Sequence, residues 1–232
     1  NGRLGTAEAV RAPADGYTIV MVYDNYATDP IIYKDLPYDP WKDLKSVSLL
    51  ARAPMVAIAS KAAPYTSMPE LVSYAKANPG KVDFGSTGLG SSSHLTAELF
   101  AHSAGVKLFH IPYKGGAPAA NDLLGGTLQT FWGTIPFAKT QDATGRVHLL
   151  AQTGATRAAA LPSVPTLAEL GMKDIQVYGW AGFMLPAGTP PAVVERWRSA
   201  ISTAANNAQI RNKLSDQGFE VVASTPQEFE TF

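Results

Sequence analysis

The 232 residues contain no cysteine. Within them, a thiol nucleophile, a Cys-ligated zinc site and a disulfide framework are therefore excluded. No apolar run approaches the ~18 residues a membrane-crossing helix needs, and no signal-peptide pattern is visible. Charge of one sign is not in excess either: Lys+Arg and Asp+Glu number 19 each. No global field then selects nucleic acid or an anionic membrane. Charged residues make up only 16%, so local backbone dipoles must do any anion binding. The histidines, His94, His102, His110 and His148, show neither H-x-x-x-H nor H-E-x-x-H spacing. No metal centre is expected from them. The G-x-S-x-G elbow and the G-x-x-x-x-G-K-[ST] phosphate loop are also missing.

What is present is a globular composition, 46% hydrophobic, in a chain long enough for one large α/β domain or two modest lobes. Strand and helix patterns alternate. Thr18–Tyr23 reads as a buried strand after the turn at Asp15-Gly16, and Ser46–Ala51 and Met55–Ser60 as two further strands. Ser67 with Glu70, and Thr166 with Glu169, have the spacing of capping boxes. Thr189-Pro190-Pro191 reads as a capped helix start, followed by Val193, Val194, Trp197 and Ile201 on one face. Thr225 caps a last helix. Such alternation predicts mostly parallel sheets with helices on both faces.

Four segments lie at predicted strand ends, where open parallel sheets bind ligands. Gly85-Ser86-Thr87-Gly88-Leu89-Gly90-Ser91-Ser92-Ser93-His94 joins a strand to a helix. Its glycines allow a tight turn, and the helix-start amides carry partial positive charge suited to a carboxylate. A plain Gly/Ser turn with a helix cap is the alternative. Ser93 stands where a dinucleotide fingerprint needs its third glycine. Tyr113-Lys114-Gly115-Gly116-Ala117-Pro118 also follows a strand and opens a helix. Lys114 there could add a point charge or simply be solvated. Gly133-Thr134 ends the strand holding Trp132, which reads as core, and Tyr23-Asp24-Asn25 ends the first strand.

The serines beside His94 invite a hydrolase reading. Neighbours in one helical turn, however, do not face each other for proton transfer. With no poised acid–base pair, the pattern reads as a receptor with no catalytic residues.

Taken in order, these residues resemble a known family. The stretches Asp15-Gly16-Tyr17-Thr18, Leu36-Pro37-Tyr38-Asp39-Pro40, Lys76-Ala77-Asn78-Pro79-Gly80 and Gly85–Ser91 with His94-Leu95 carry the likeness. So do His110-Ile111-Pro112-Tyr113-Lys114-Gly115, Asp122–Gly126, Leu161–Thr166 and Pro186–Pro190. Together they resemble the solute-binding receptors of tripartite tricarboxylate transporters, the Bug or TctC-like family. The resemblance implies a periplasmic-binding-protein-like (Venus flytrap) α/β fold, with residues 1–59 plus 182–232 in one lobe and 60–181 in the other. It implies a small carboxylate ligand between them: a di- or tricarboxylate, an aromatic acid or a related solute. It also implies membrane transporter subunits as partners, a periplasmic location, a monomer, and no cofactor or metal. A ligand-binding partner of a sensor kinase is the second reading, and a Ser/His hydrolase the third.

Carried over by position, the ligand-binding residues would be Ser86, Thr87, Gly88, Gly90, Ser91, Gly115, Gly116, Ala117, Pro118, Gly133 and Thr134. Tyr23, Asp24 and Asn25 would add part of the first lobe's face. The family's first strand and Pro-Pro-Gly-Gly-type loop have no counterpart in these residues, so the first lobe is expected to be incomplete. An acidic residue common in the family near the strand end is replaced by Trp132-Gly133-Thr134, which favours a ligand without a cation.

Overall fold

The computed structural model describes residues 2–232. Its first elements are α1 (Arg3–Arg11), β1 (Val20–Tyr23), α2 (Asn25–Ile32), β2 (Leu44–Ser60) and α3 (Met68–Ala77). There follow β3 (Val82–Ser86), α4 (Ser92–Ala104), β4 (Leu108–Pro112), α5 (Gly116–Gly125), β5 (Thr130–Thr134) and α6 (Ile135–Asp142). The chain closes with β6 (Val147–Gln152), β7 (Tyr178–Pro186), α7 (Pro191–Asn206), α8 (Ala208–Asp216), β8 (Glu220–Val221) and α9 (Pro226–Thr231). It divides into two compact units: Asn1–Arg52 with Trp180–Phe232, and Ala53–Gly179.

In the first unit β1 runs antiparallel to β7, from Val20 opposite Met184 to Tyr23 opposite Ala181. β8 pairs antiparallel with Ala51 and Arg52 of β2. Val22 is the one buried residue of β1, so the strand is half-exposed rather than buried as its apolar sequence suggests. Val194 and Ile201 of α7 pack with Val47 and Leu185, while Trp197 lies partly buried against them. The Trp197 indole N–H donates to the Gly16 carbonyl at 2.9 Å. Thr189 does not cap α7: its hydroxyl donates to the Pro186 carbonyl, and Pro190 holds the cap position.

The second unit is built around β3, which pairs in parallel with both β4 and β5. The Ala53–Ser60 part of β2 pairs antiparallel with β5 and β6. The sheet is therefore mixed: β3 with β4 and β3 with β5 show the parallel pairing expected from strand–helix alternation, while β2 with β5 and with β6 does not. The two predicted strands Ser46–Ala51 and Met55–Ser60 are one strand, β2. Pro54, which has no N–H to give a ladder, sits between the stretch paired with β8 and the stretch paired with β5.

Alternate residues of a strand point to opposite faces, and the cores of this unit divide accordingly. Ala57, Ala59, Phe84 and Trp132 pack with Met68, Leu71, Ala97 and Phe100, from α3 and α4. Val56, Ile58 and Phe131 pack with Ala119, Leu123, Ile135 and Ala138, from α5 and α6. Helices α3 and α4 thus cover one face and α5 and α6 the other. Trp132 is core, 2% exposed. At the start of α3 the expected Ser67–Glu70 box is displaced by one residue. Ser67 makes no cap bond, and Glu70 accepts from the amide and hydroxyl of Thr66.

Candidate functional site

The three parallel strands of the second unit end side by side. β3 lies between β4 and β5, and all three run the same way. The helix after β3 packs on one face of the sheet and the helix after β5 on the other. Adjacent parallel strands whose connections leave in opposite directions open a crevice beyond their carboxyl ends. The loops 87–91, 113–115 and the Thr134 corner stand at that edge.

The first loop is held mainly by bonds within itself. Ser86, 0% exposed, accepts the Gly88 amide and donates to the Gly88 carbonyl, both at 3.1 Å. The Thr87 amide donates to Ser93 Oγ at 2.9 Å. Ser91 Oγ donates to the Gly88 carbonyl at 2.7 Å and caps α4 by accepting from the His94 amide. The Gly90 amide donates to His94 Nδ1 at 3.2 Å. Gly88 and Gly90 sit at φ 135° and 76°, where a β-carbon strains the backbone. Much of the donor capacity expected from this loop is therefore directed inward, because its serines and His94 supply nearby acceptors.

The other two mouths differ. Gly115 opens α5 at φ 116° and ψ 178° with no side-chain cap. Thr134 takes the cap position of α6 but its hydroxyl makes no cap bond. First-turn amides of α5 and α6 therefore have no capping side chain, and their partial positive charge stays available. Phe137 joins the two mouths. A β-carbon on Gly116 would come within 3.3 Å of its ring, and one on Gly133 within 2.6 Å. On the other side, a β-carbon on Gly179 would lie 3.0 Å from Thr134 Cγ2 and 3.8 Å from Ser92 Oγ. This brings the mouths of α4 and α6 together. Tyr113 braces α5 from below, its hydroxyl donating to Asp122 Oδ2 at 2.7 Å. Burial first, then that carboxylate, pushes its pKa up to about 12.

Beneath the first loop His94 and His110 stack at 4.1 Å and 27°, and Phe84 stacks on His110 at 4.8 Å. His110 Nε2 lies 2.6 Å from Ser86 Oγ. Burial chiefly, with His94 adding, lowers the His110 pKa to about 4. Burial likewise lowers that of His94, against the opposing effect of Glu98. Both rings are neutral at pH 7, and Lys114 is exposed. The Ser86–His110 distance would suit a nucleophile and its base. Yet Ser86 is wholly buried, and no carboxylate bonds to His110 among the described residues.

The sequence-derived site residues Ser86, Thr87, Gly88, Gly90, Ser91, Gly115–Pro118, Gly133 and Thr134 thus share one edge of the second unit. Tyr23, Asp24 and Asn25 belong to the first unit. There Tyr23 is 50% exposed, Asp24 holds the cap position of α2 without a side-chain cap bond, and the Asn25 side-chain amide donates to Asp29 Oδ2 at 3.4 Å. Sequence reasoning missed Ser93, Phe137 and the His94–His110 stack as supports of the loops. Among the described residues, no group of three or more His, Asp or Glu could hold a metal ion. Nor, among the described residues, is any helix long and apolar enough to cross a membrane.

The model of the tripartite tricarboxylate transporter family receptor matches residues 1–232. Protein BugT of Bordetella pertussis is 31% identical over 233 residues, spanning 100% of this chain and 72% of that protein. Among solved structures, that of R. palustris Rpa4515 with adipate superposes with a TM-score of 0.94 at 32% identity, covering 99% of this chain and 77% of that one. MatC from Rhodopseudomonas palustris with bound malate gives 0.86 at 28% identity, covering 95% and 75%.

Proposed function

This chain belongs to the receptor family of tripartite tricarboxylate transporters, and from that premise we propose that it captures a small carboxylate and delivers it to such a transporter. It is a solute-binding protein of the TctC/Bug type with the α/β fold of periplasmic binding proteins. Relatives of the same fold hold adipate and malate, and both are small dicarboxylates.

The observation that carries the reading is the clustering of three helix mouths at the ends of β3, β4 and β5, two of them without a side-chain cap. A carboxylate is a suitable guest for such a place because helix-start amides meet it with partial positive charge. In this reading Gly116 and Ala117 offer amides and Thr134 its hydroxyl. Gly115 and Gly133 keep the approach open, and Pro118 fixes the first turn of α5. Thr87, Gly88, Gly90 and Ser91 form the facing wall, with Ser86 holding it from beneath. For the first unit we propose contacts from Tyr23, Asp24 and Asn25. Gly133-Thr134 brings no carboxylate to the site, which favours a ligand without an ammonium group. The proposed location is the periplasm, the partners are membrane subunits, and the working form is a monomer needing no cofactor.

Calorimetry and thermal-shift measurements with mono-, di- and tricarboxylates test this. Binding raises the melting temperature with ligand excess over Kd. A flat response to adipate, malate and the rest of the panel would overturn the proposal.

A further inference from the structure

We propose that His94 is the positioning residue of the loop 87–91. Its unprotonated Nδ1 holds the Gly90 amide, and proton uptake at that atom opens the loop and weakens carboxylate capture. The second clause rests on the function proposed above; the first stands on the loop alone.

The hydrogen bonding fixes the tautomer. An N–H donor reaches His94 Nδ1 from Gly90 at 3.2 Å, so Nδ1 must present a lone pair and the ring proton sits on Nε2. A second proton would have to enter at Nδ1, and two N–H groups would then face each other across that distance. The Gly90 amide would have to turn away. Gly90 stands between Gly88 and the α4 cap, whose Ser91 hydroxyl bonds back to Gly88. Turning Gly90 therefore disturbs the whole wall.

Ser86 and His110 do not share this sensitivity. Ser86 Oγ donates to the Gly88 carbonyl and accepts the Gly88 amide. With the His110 proton on Nε2, Ser86 accepts that bond too, and its one donor and two acceptor sites are all filled. Protonation of His110 leaves the Nε2–H in place. Of the two rings, only His94 holds the loop through an atom that must stay bare.

The groups facing His94 are few. From α4 comes Glu98, its Oε1 3.8 Å from His94 Nε2. From β4 comes His110, stacked at 4.1 Å, and from β3 the apolar ring of Phe84. The loop itself, 86–93, carries no titratable side chain. Burial outweighs Glu98 and lowers the His94 pKa, so the loop is held at neutral pH and released under acid. A bound anion alone would give the opposite trend, since a nearby carboxylate favours the imidazolium.

Two variants separate positioning from packing. His94→Asn places an oxygen where Nδ1 stood and cannot titrate. His94→Gln carries its amide out toward the Nε2 position and leaves Gly90 without that acceptor. Amide and ring 15N NMR of the protein, from pH 7.5 to 5, should show the Gly90 amide titrating together with His94 in the wild type and staying still in His94→Asn. Adipate and malate affinity should fall on the order of 3- to 10-fold over that range in the wild type, the effect of losing one hydrogen bond. In His94→Asn it should change only as the ligand's own carboxylates titrate. At pH 7.5 His94→Gln should bind more weakly than His94→Asn by a similar factor. A Gly90 amide that ignores His94, or equal losses with parallel pH profiles in both variants, would overturn the inference. Absence of adipate and malate binding at every pH would instead count against the proposed function, while the NMR titration still decides the role of His94 in the loop.

Discussion

Phe137 lies so close to Gly133 that a β-carbon there would come within 2.6 Å of ring Cδ1 and 3.1 Å of Cγ. The same ring is 4.7 Å from Phe131, tilted by 35°, so it cannot retreat without disturbing the core beneath α5 and α6. Gly133→Ala should therefore destabilise the protein by about 1–3 kcal/mol through overpacking, and should weaken carboxylate binding by moving Thr134. Urea denaturation and calorimetry check the two effects together. Unchanged stability would show that Phe137 has room to move.

Gly115 is constrained differently. Nothing stands within 4 Å of a β-carbon built on it, but its φ is 116°. Gly115→Ala should cost on the order of 1–3 kcal/mol through backbone strain alone. A crystal structure of the variant should show the mouth of α5 rotated with the surrounding side chains in place. Weaker carboxylate binding is expected with it.

His110 links acid to stability. Its pKa, held down to about 4 by burial and by His94, lies below the ordinary value of 6.5. The neutral form is favoured in the fold, so this stabilisation is fully present above pH 6.5 and is lost as pH falls toward 4. The loss should be on the order of 2–3 kcal/mol across that window. Denaturation midpoints from pH 7.5 to 4 measure it, and His110→Gln should flatten that part of the profile.

Asp29 should show the reverse sign. It is 2% exposed, its Oδ1 has no hydrogen-bond partner among the described residues, and burial is the main cause of its raised pKa. A carboxyl whose pKa is higher folded than unfolded is penalised once ionised, so the fold loses stability as pH rises through that value. Asp29→Asn should gain on the order of 1 kcal/mol at pH 7 and nothing at pH 3.5. Equal effects at both pH values would point to packing instead.

Much of the second unit was legible because its strands and helices keep clean periods and end at Gly or Pro. The helix expected to open at the Tyr113–Pro118 segment does so as α5, from Gly116. The first unit was harder. α2 contains Pro30, which reads as a breaker, and α8 buries no residue, so no apolar stripe announces it. β2 looked like two strands because Arg52 and Pro54 interrupt its apolar run. The Thr166–Glu169 box does form, with reciprocal bonds, yet no regular helix follows it.

The loops at the candidate site could be picked out from their glycines, but not what holds them. Gly90 and His94 are one helical turn apart, so their bond was within reach of spacing arguments. The contact of Ser86 with His110 depends on the β3–β4 register, which sets Phe84 beside His110 and Ser86 beside Pro112. No local pattern encodes that register. The resemblance placed lobe limits at 59/60 and 181/182; compact units divide at Arg52/Ala53 and Gly179/Trp180.

α4 rests on one hydrophobic layer and α6 on the other. The two walls of the proposed crevice therefore answer to separate sets of buried neighbours. They nonetheless meet at Gly179, where an added β-carbon would reach both Thr134 and Ser92, so alterations of the two walls couple through that shared neighbour instead of adding independently.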